Sequence, residues 1–340
     1  MTIEDDNWFF SGCAVRGRSH VKSGKPCQDK VGMIFKNGIY VVCLSDGAGS
    51  AAYSEYGAEC VVNVCMTIMV SSFDNYLADD NADAVKESLV TSIKDALNKK
   101  AEELQCGVAE LASTMLLVAI RGDEYIIGHV GDGAIGYLVD NQLKVASVPV
   151  NGEHVNETYF VTSDGCGKKM RIYKGHINRI EGFFLMSDGT EQTLYNRRRK
   201  EFASPIKRLL QRNVILKKSI MNEQLEDSFK RMVVTKTTDD CSIAILSRRY
   251  YGLYSFDDMP HNEKCALYGM KSNAKESKKR IERFDEIIYL TRKPVSCSYI
   301  SRKIHLKYPY TKRHLSYLRD IGLIQDNNGY FSNNIQDLNR

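Results

Sequence analysis

The chain has 340 residues but only 6 prolines and 1 tryptophan, and no low-complexity tract or internal repeat interrupts it. With 43% apolar and 26% charged residues, this composition excludes large-scale disorder. The length suits one large domain, or a medium domain with a small one. The longest apolar segment, about residues 58–70, is too short to span a bilayer and contains Asn63. The acidic start, MTIEDDNWFF, lacks the basic opening and apolar stretch of a signal peptide. The 10 cysteines include no C-x-x-C pair, and no histidine completes a zinc spacing. Cys43, Cys60 and Cys65 lie in apolar runs, as reduced core cysteines do. The expectation is a soluble, cytoplasmic protein that does not enter a membrane. Two phosphoryl chemistries are also missing. There is no Walker A motif and no C-x5-R loop, since Cys13…Arg18 and Cys166…Arg171 each fall one residue short.

The net charge of +5 is unevenly spread. From Tyr250 onward there are 16 Lys and Arg against 10 Asp and Glu, so +6 lies in the last quarter and −1 in the rest. A basic tail fits an acidic partner or a solvated surface.

Local patterning divides the chain into strands, two helices, strands, helices and a last strand. FFSGCAV reads as a first strand. VGMIF and IYVVCL flank Lys36-Asn37-Gly38, and Asn-Gly between apolar runs marks a hairpin. Helices are expected over about 53–71 and 81–104. STMLLVAI, EYIIGHV, AIGYLV and LKVASV form a meander separated by turn signals. A less regular segment covers about 150–180. GFFLM is another strand, residues 190–231 are helical, and 237–246 closes the core. This is not the strict alternation of a doubly wound parallel sheet. The expected class is α+β, with two mostly antiparallel sheets packed face to face, helix pairs outside, and a small mainly α domain at the C-terminus. The expected division is 1–249, a linker at 250–279, and 280–340.

Aspartates recur at the strand ends. They are Asp29 in KPCQDK, Asp46 in CLSDGAG, Asp132 in HVGDGAIG, Asp188 in LMSDGTEQ, and Asp239-Asp240 in TTDDCSIAI. A hard divalent ion such as Mg²⁺ or Mn²⁺ takes oxygen ligands and keeps several waters, so a few carboxylates on a rigid sheet edge suffice. Two such ions can activate a water and clamp a phosphoryl group. A single Asp-Gly most often marks a tight turn. Asp164-Gly165 is left outside the set, because a basic run follows it instead of a clear helix start. The argument rests on the series and its order.

In that order the segment 8–248 resembles the PPM/PP2C metal-dependent serine/threonine protein phosphatases. Gln28-Asp29 takes the place of the early acidic motif, and Asp46-Gly47 and Gly131-Asp132 those of the next two. Asp188-Gly189 matches the motif before a helix. Aligned on Ser242, Asp239 matches the last acidic position and Asp240 takes the usual Asn position. The resemblance implies two divalent ions, Mn²⁺ or Mg²⁺. Asp46, Asp188 and Asp239 would hold one. Asp29, Asp46 and the Gly47 carbonyl would hold the second, and Asp132 with Asp188 a third, weaker one. It implies direct attack of a metal-bridging water on the phosphorus of phosphoserine or phosphothreonine, with Asp46, Asp188 and Asp239 as the catalytic set. Ala48 stands where many eukaryotic members have His, which points to the bacterial branch. Gly24 stands where a phosphate-binding Arg is usual. In the same loop Arg18 and His20 are the candidate phosphate ligands, with Arg16, Lys22 and Lys25 nearby. The opening from Gly17-Arg18-Ser19-His20 to Pro26-Cys27-Gln28-Asp29 is similar to that of a bacterial subgroup. The implied partner is a phosphoprotein, with a cognate Ser/Thr kinase or its targets as source. Residues 150–180 fall where the family has its variable flap, and Lys168, Lys169, Arg171 and Lys174 would be available there to steer a phosphopeptide.

Beyond Tyr250, three helix-like runs (RIERFDEIIYLTRK, SCSYISRKIHL, YTKRHLSYLRDIGLI) precede an Asn328-Gly329 hairpin signal. The pattern resembles a winged helix-turn-helix. Lys312, Arg313, His314 and Arg319 lie on the third run, available for nucleic acid or for a protein partner. Two alternatives to the enzyme stay open: a catalytically weak regulatory relative, and a regulator that binds DNA or protein through its tail.

Overall fold

The structure, a computed structural model, describes residues 8–148, 158–271 and 275–336. These form two compact units, one of Met1–Leu210 with Leu225–Gly252, the other of Gln211–Gln224 with Leu253–Arg340. The elements run in the order β1 (Trp8–Val15), α1 (Arg18–Ser23), β2 (Lys30–Lys36), β3 (Ile39–Ser45), α2 (Ser54–Ala78), α3 (Ala82–Leu104), β4 (Met115–Arg121), β5 (Glu124–Val130), β6 (Ala134–Val139) and β7 (Gln142–Ser147). After them come α4 (Cys166–Lys169), β8 (Arg171–His176), β9 (Ile180–Met186), α5 (Asp188–Leu194), β10 (Tyr195–Asn196), β11 (Glu201–Phe202), α6 (Pro205–Ile215), α7 (Lys218–Ser228) and β12 (Cys241–Arg248).

The first unit is a sandwich of two five-stranded sheets, ordered β1-β12-β9-β6-β7 and β2-β3-β4-β5-β8. Every pairing in them is antiparallel. Side-chain alternation explains why β3 and β4 read as unbroken apolar runs. Val42, Leu44, Leu116, Val118 and Ile120 face the β1-β12-β9-β6-β7 sheet, in a core with Phe183, Leu185 and Leu246. Val41, Cys43, Met115, Leu117 and Ala119 point the other way, to a core shared with α2 and α3. A strand buried on both faces loses the apolar-polar alternation of a half-exposed one. The Asn37-Gly38 turn has φ of 55° and 76°, the left-handed pair that a two-residue hairpin needs.

Helix α2 is longer than the apolar run suggests. By length and composition it could cross a bilayer. Its Ala58, Val61, Cys65, Met69 and Phe73 recur every three or four residues and are buried, in a stripe that lies on the β2-β3-β4 face.

Three segments differ from the sequence reading. Part of the segment read as irregular is the edge strand β8, paired with β5; residues 149–157 of that segment lie outside the described residues. Residues 195–202, read as helix, form the short β10–β11 hairpin, whose Tyr195 and Phe202 rings pack 4.6 Å apart. Two-residue strands carry no periodic signal. The last strand starts at Cys241 because Thr237–Asp240 are drawn into hydrogen bonds of their own.

The second unit continues with α8 (His261–Leu267), α9 (Lys275–Leu290), β13 (Val295–Ser296), α10 (Cys297–Lys303), α11 (Tyr308–Asp320), β14 (Ile324–Asn327) and β15 (Tyr330–Asn333). From α9 on, this is the helix-strand-helix-helix-hairpin order of a winged helix, with the sheet β13-β15-β14. Leu315 and Leu318 of α11 are buried with Phe284, Ile287 and Ile300. The stretch read as a linker carries α8 and buries Phe256 and Tyr268. Residues 211–224 belong to this unit as well. Lys217 N–H donates to the Asn334 carbonyl, and Arg212 to that of Ile321.

Candidate metal and phosphate site

Strand register alone brings the aspartates to one end of the sandwich. Lys30 pairs with Ser45, so Asp29, just before β2, and Asp46, just after β3, emerge side by side. Met115 pairs with Val130, which sets the β5–β6 turn and Asp132 at that same end. Ala134 and Ile243 both pair with Met186, which adds Asp188 and the Asp239-Asp240 pair. Val15 pairs with Cys241, so the loop after β1 arrives there too.

Asp46 is the centre of the group. Its N–H donates to Thr114 Oγ1 at 2.9 Å and its carbonyl accepts from Thr114 N–H at 2.8 Å. Its carboxyl is held protonated well above the usual range, by burial first and then by the charges of Asp29, Asp188, Asp132 and Asp239. Asp29 is pushed up to about 7, by burial and by Asp240, although the nearby Ser242 and Ser187 hydroxyls pull it down. Asp188, the first residue of α5, is pushed up to about 6 by burial, Asp132 and Asp239. Both oxygens of Asp29 and Oδ1 of Asp188 are buried without a hydrogen bond of normal geometry. Asp132 accepts from the Thr158 hydroxyl at 2.6 Å.

The two adjacent aspartates divide. Asp240 is buried and fully engaged: Oδ1 accepts from Gly17 N–H at 2.6 Å, Oδ2 from Gln28 N–H at 2.6 Å, and His20 Nδ1 lies 2.9 Å from Oδ1. Asp239 is half-buried and uses one oxygen to accept from Asp240 N–H at 2.9 Å. Its charge bears on Asp46 and Asp188, whereas that of Asp240 bears on Asp29. Close backbone contact holds the loops together. A Cβ on Gly17 would lie 2.2 Å from the Asp239 carbonyl carbon, and one on Gly189 2.1 Å from the Asp240 oxygen. Only glycine fits at either position.

The basic loop is largely occupied with the scaffold. Arg18 Nε donates to the Thr237 carbonyl at 2.9 Å, and its side chain is otherwise exposed. His20 is buried against Asp240. Lys25 reaches the Gly49 carbonyl, and Arg16 reaches that of Lys25. In the flap-like region, Arg171 contacts His129 and the Val148 carbonyl, and Lys174 the Asp79 carbonyl. Asp164 is exposed at a turn and takes no part in the cluster. Sequence reasoning missed Thr114, which fixes Asp46, and the ion pair of Glu191 with Arg197. Thr114 becomes visible only when β3 and β4, distant in sequence, are joined, and the Glu191–Arg197 pair only when the chain after α5 folds back as a hairpin.

Hard oxygen donors converge here, several of them buried and lacking partners; burial first, and then their mutual repulsion, raises the pKa of Asp29, Asp46 and Asp188. A divalent cation is the partner that such a set fits. Among the described residues, no three His, Cys, Asp or Glu side chains close a cage on an ion by themselves.

The family model for protein phosphatase 2C matches residues 16–230. The chain belongs to the protein phosphatase 2C family. A curated relative, serine/threonine-protein phosphatase 3 of Escherichia coli (strain K12), is 25% identical over 197 residues, covering 56% of this chain and 76% of the relative. Among solved structures, a bacterial serine phosphatase aligns with a TM-score of 0.50 and 17% identity, over 71% of this chain and 98% of that one. The catalytic domain of the phosphatase PstP, in complex with 2 manganese ions, aligns at 0.47 and 14% identity, over 71% and 97%.

Proposed function

We propose that the chain is a divalent-metal-dependent phosphatase that hydrolyses phosphoserine and phosphothreonine in proteins. Serine/threonine phosphatase activity follows from the family. Metal dependence rests on one observation: strand register brings Asp29, Asp46, Asp132, Asp188 and Asp239 to one end of the sandwich, where both oxygens of Asp29 and Oδ1 of Asp188 are buried without a hydrogen-bond partner. In this reading Asp46, Asp188 and Asp239 would hold one Mn²⁺ or Mg²⁺, and Asp29, Asp46 and the Gly47 carbonyl would hold another. Asp132 with Asp188 would contribute to a third, weaker position. Bound ions there supply charge neutralisation for the phosphoryl oxygens and a lowered pKa for water.

The chain's own groups do the rest. Thr114 orients Asp46 through the two backbone bonds. Asp240 ties the Gly17 and Gln28 backbone to the last strand and so positions Asp29. Arg18, exposed apart from its Nε bond, is assigned to the phosphate, whereas His20, which the sequence also offered, is buried against Asp240 and holds that loop. Overall, water adds to phosphorus, the P–O bond to the Ser or Thr oxygen breaks, and the alcohol leaves with a proton. The substrate is a phosphoprotein, with a cognate kinase as its source.

The second unit supports a binding role. Residues 287–319 contain no Asp or Glu, and Lys307, Tyr308, Tyr310, Lys312 and Arg313 are exposed around the start of α11. That face fits an acidic partner, either nucleic acid or an acidic protein surface. The ten cysteines are free, which supports a reducing, cytoplasmic setting.

The test is hydrolysis of a phosphothreonine peptide with Mn²⁺, with Mg²⁺ and with EDTA, beside Asp46→Asn. Activity should require the ion and fall on the order of a thousandfold or more in the variant. Equal turnover in EDTA would overturn the metal reading.

A further inference from the structure

Between α5 and α6 the chain forms the β10–β11 hairpin, whose turn reads Arg197-Arg198-Arg199-Lys200. Its stem is pinned beside the aspartate cluster in two ways. Glu191 lies one turn after Asp188 on α5 and is completely buried. It accepts two hydrogen bonds from Arg197 Nε, at 2.8 and 3.0 Å, and one from Arg197 Nη2 at 2.5 Å. Such a bidentate pair fixes the guanidinium more tightly than a single contact. On the other side, Phe202 packs edge-on against Phe184 with ring centroids 4.7 Å apart, and Phe184 lies on β9, the strand leading to Asp188. The charges of Asp132 and Asp188 reach Arg197 and add to the effect of Glu191 on it. A cleft of about 710 Å³ opens here, lined by Gln192, Thr193, Asn196, Arg197 and Glu201 among others.

The next three cations differ from Arg16, Arg18 and Lys25 of the loop after β1. Arg16, Arg18 and Lys25 bond to backbone carbonyls. Arg198, Arg199 and Lys200 are exposed, and among the described residues none of their side chains has an ion-pair partner. A substrate brings a phosphate dianion to a cluster of carboxylates. Ions held in the cluster offset that charge at its centre but do little for acidic residues on either side of the phosphoresidue. A row of unpaired cations at the rim supplies that attraction.

We propose that the β10–β11 hairpin reads the residues flanking the phosphoserine or phosphothreonine, with Arg198, Arg199 and Lys200 selecting acidic ones and Arg197 fixing the stem beside the phosphate. The inference rests on the phosphatase reading above and names its preferred substrate class, acidic phosphopeptides. The contacts are solvent-exposed, so they are individually weak and screened by salt.

Two phosphothreonine peptides that differ only in Glu against Gln flanks measure this, with the ratio of their kcat/KM values as the readout. In the wild type the ratio should favour the acidic peptide by about tenfold at low salt. The difference should lie in KM and shrink towards one at about 0.5 M NaCl. The triple variant Arg198→Ala, Arg199→Ala, Lys200→Ala should bring the ratio near one, while Arg198→Lys with Arg199→Lys should preserve it. A wild-type ratio of one, or one that the triple variant leaves unchanged, would overturn the inference. If the wild type cleaves neither peptide nor p-nitrophenyl phosphate, the phosphatase reading fails separately. The hairpin is then judged by fluorescence anisotropy with the same peptides, labelled: the acidic peptide should bind about tenfold more tightly to wild type than to the triple variant, and equal affinity would refute it.

Discussion

Asp239 and Asp240 are neighbours in sequence with opposite expected roles, and replacing each one separates them. Asp240→Ala removes the acceptor of two buried N–H groups, those of Gly17 and Gln28, each bonded at 2.6 Å. Leaving a buried donor unpaired costs about 1–3 kcal/mol, so the pair amounts to roughly 2–6 kcal/mol. For a domain of this size about 1 kcal/mol moves Tm by roughly 2–4 °C, which gives a fall of about 5–20 °C. Asp240→Asn keeps one acceptor oxygen and should lose about half of that. Asp239→Asn leaves the donor network intact and removes one negative charge from the cluster. Its Tm in EDTA should equal or exceed that of the wild type. The assay is thermal unfolding with EDTA and then with excess Mn²⁺. Wild type and Asp240→Asn should gain stability on adding the ion, because a ligand of the folded state stabilises it by mass action. Asp239→Asn should gain little. If Asp240→Ala unfolds no earlier than wild type, the buried-bond argument is wrong. If Asp240→Asn loses the Mn²⁺ response and Asp239→Asn keeps it, the two roles are reversed.

Three further outcomes follow from the same geometry. Burial, with the neighbouring carboxylates, pushes Asp29 up to about 7 and Asp188 up to about 6 and raises Asp46 as well, while unfolded Asp lies near 3.9. The folded state therefore holds these protons more tightly. Its stabilisation is complete below about pH 4 and is lost as pH rises towards about 7, on the order of a few kcal/mol. Tm in EDTA should fall over that window and Mn²⁺ should reverse the slope; a flat EDTA profile would contradict the argument that burial and repulsion raise these carboxyls. Gly189→Ala puts a methyl group 2.1 Å from the Asp240 carbonyl oxygen, which is backbone and cannot turn aside. It should destabilise by about 1–3 kcal/mol and reduce kcat, read by unfolding and by peptide turnover. In the second unit, buried Lys264 lies 2.7 Å from Asp285, which also accepts from the Tyr268 hydroxyl. Asp285→Ala leaves that ammonium unpaired and should cost about 3–5 kcal/mol, seen as a lower urea midpoint.

The sequence by itself determined the elements that local chemistry dictates. The Asn37-Gly38 turn fixed the β2–β3 hairpin, and the Asn328-Gly329 turn the one between β14 and β15, because both needed consecutive left-handed residues. The recurrence of Asp at strand ends named the five positions of the cluster before any strand was placed. Short, locally unremarkable segments escaped it. Strand β8 exists through its pairing with β5, and the β10–β11 hairpin through aromatic contacts of Phe202 with Phe184 and Tyr195.

Tertiary structure alone decided which groups face one another. Nothing local distinguishes Asp239 from Asp240. The difference comes from two backbone N–H groups more than two hundred residues upstream, which reach Asp240 because β1 pairs with β12. The burial and the repulsion that raise Asp46 likewise depend on loops brought together from five strand ends. Composition fixes how many charges a chain carries. Only folding sets their separation and their access to water, and those two quantities control both the pKa values and the affinity for a cation.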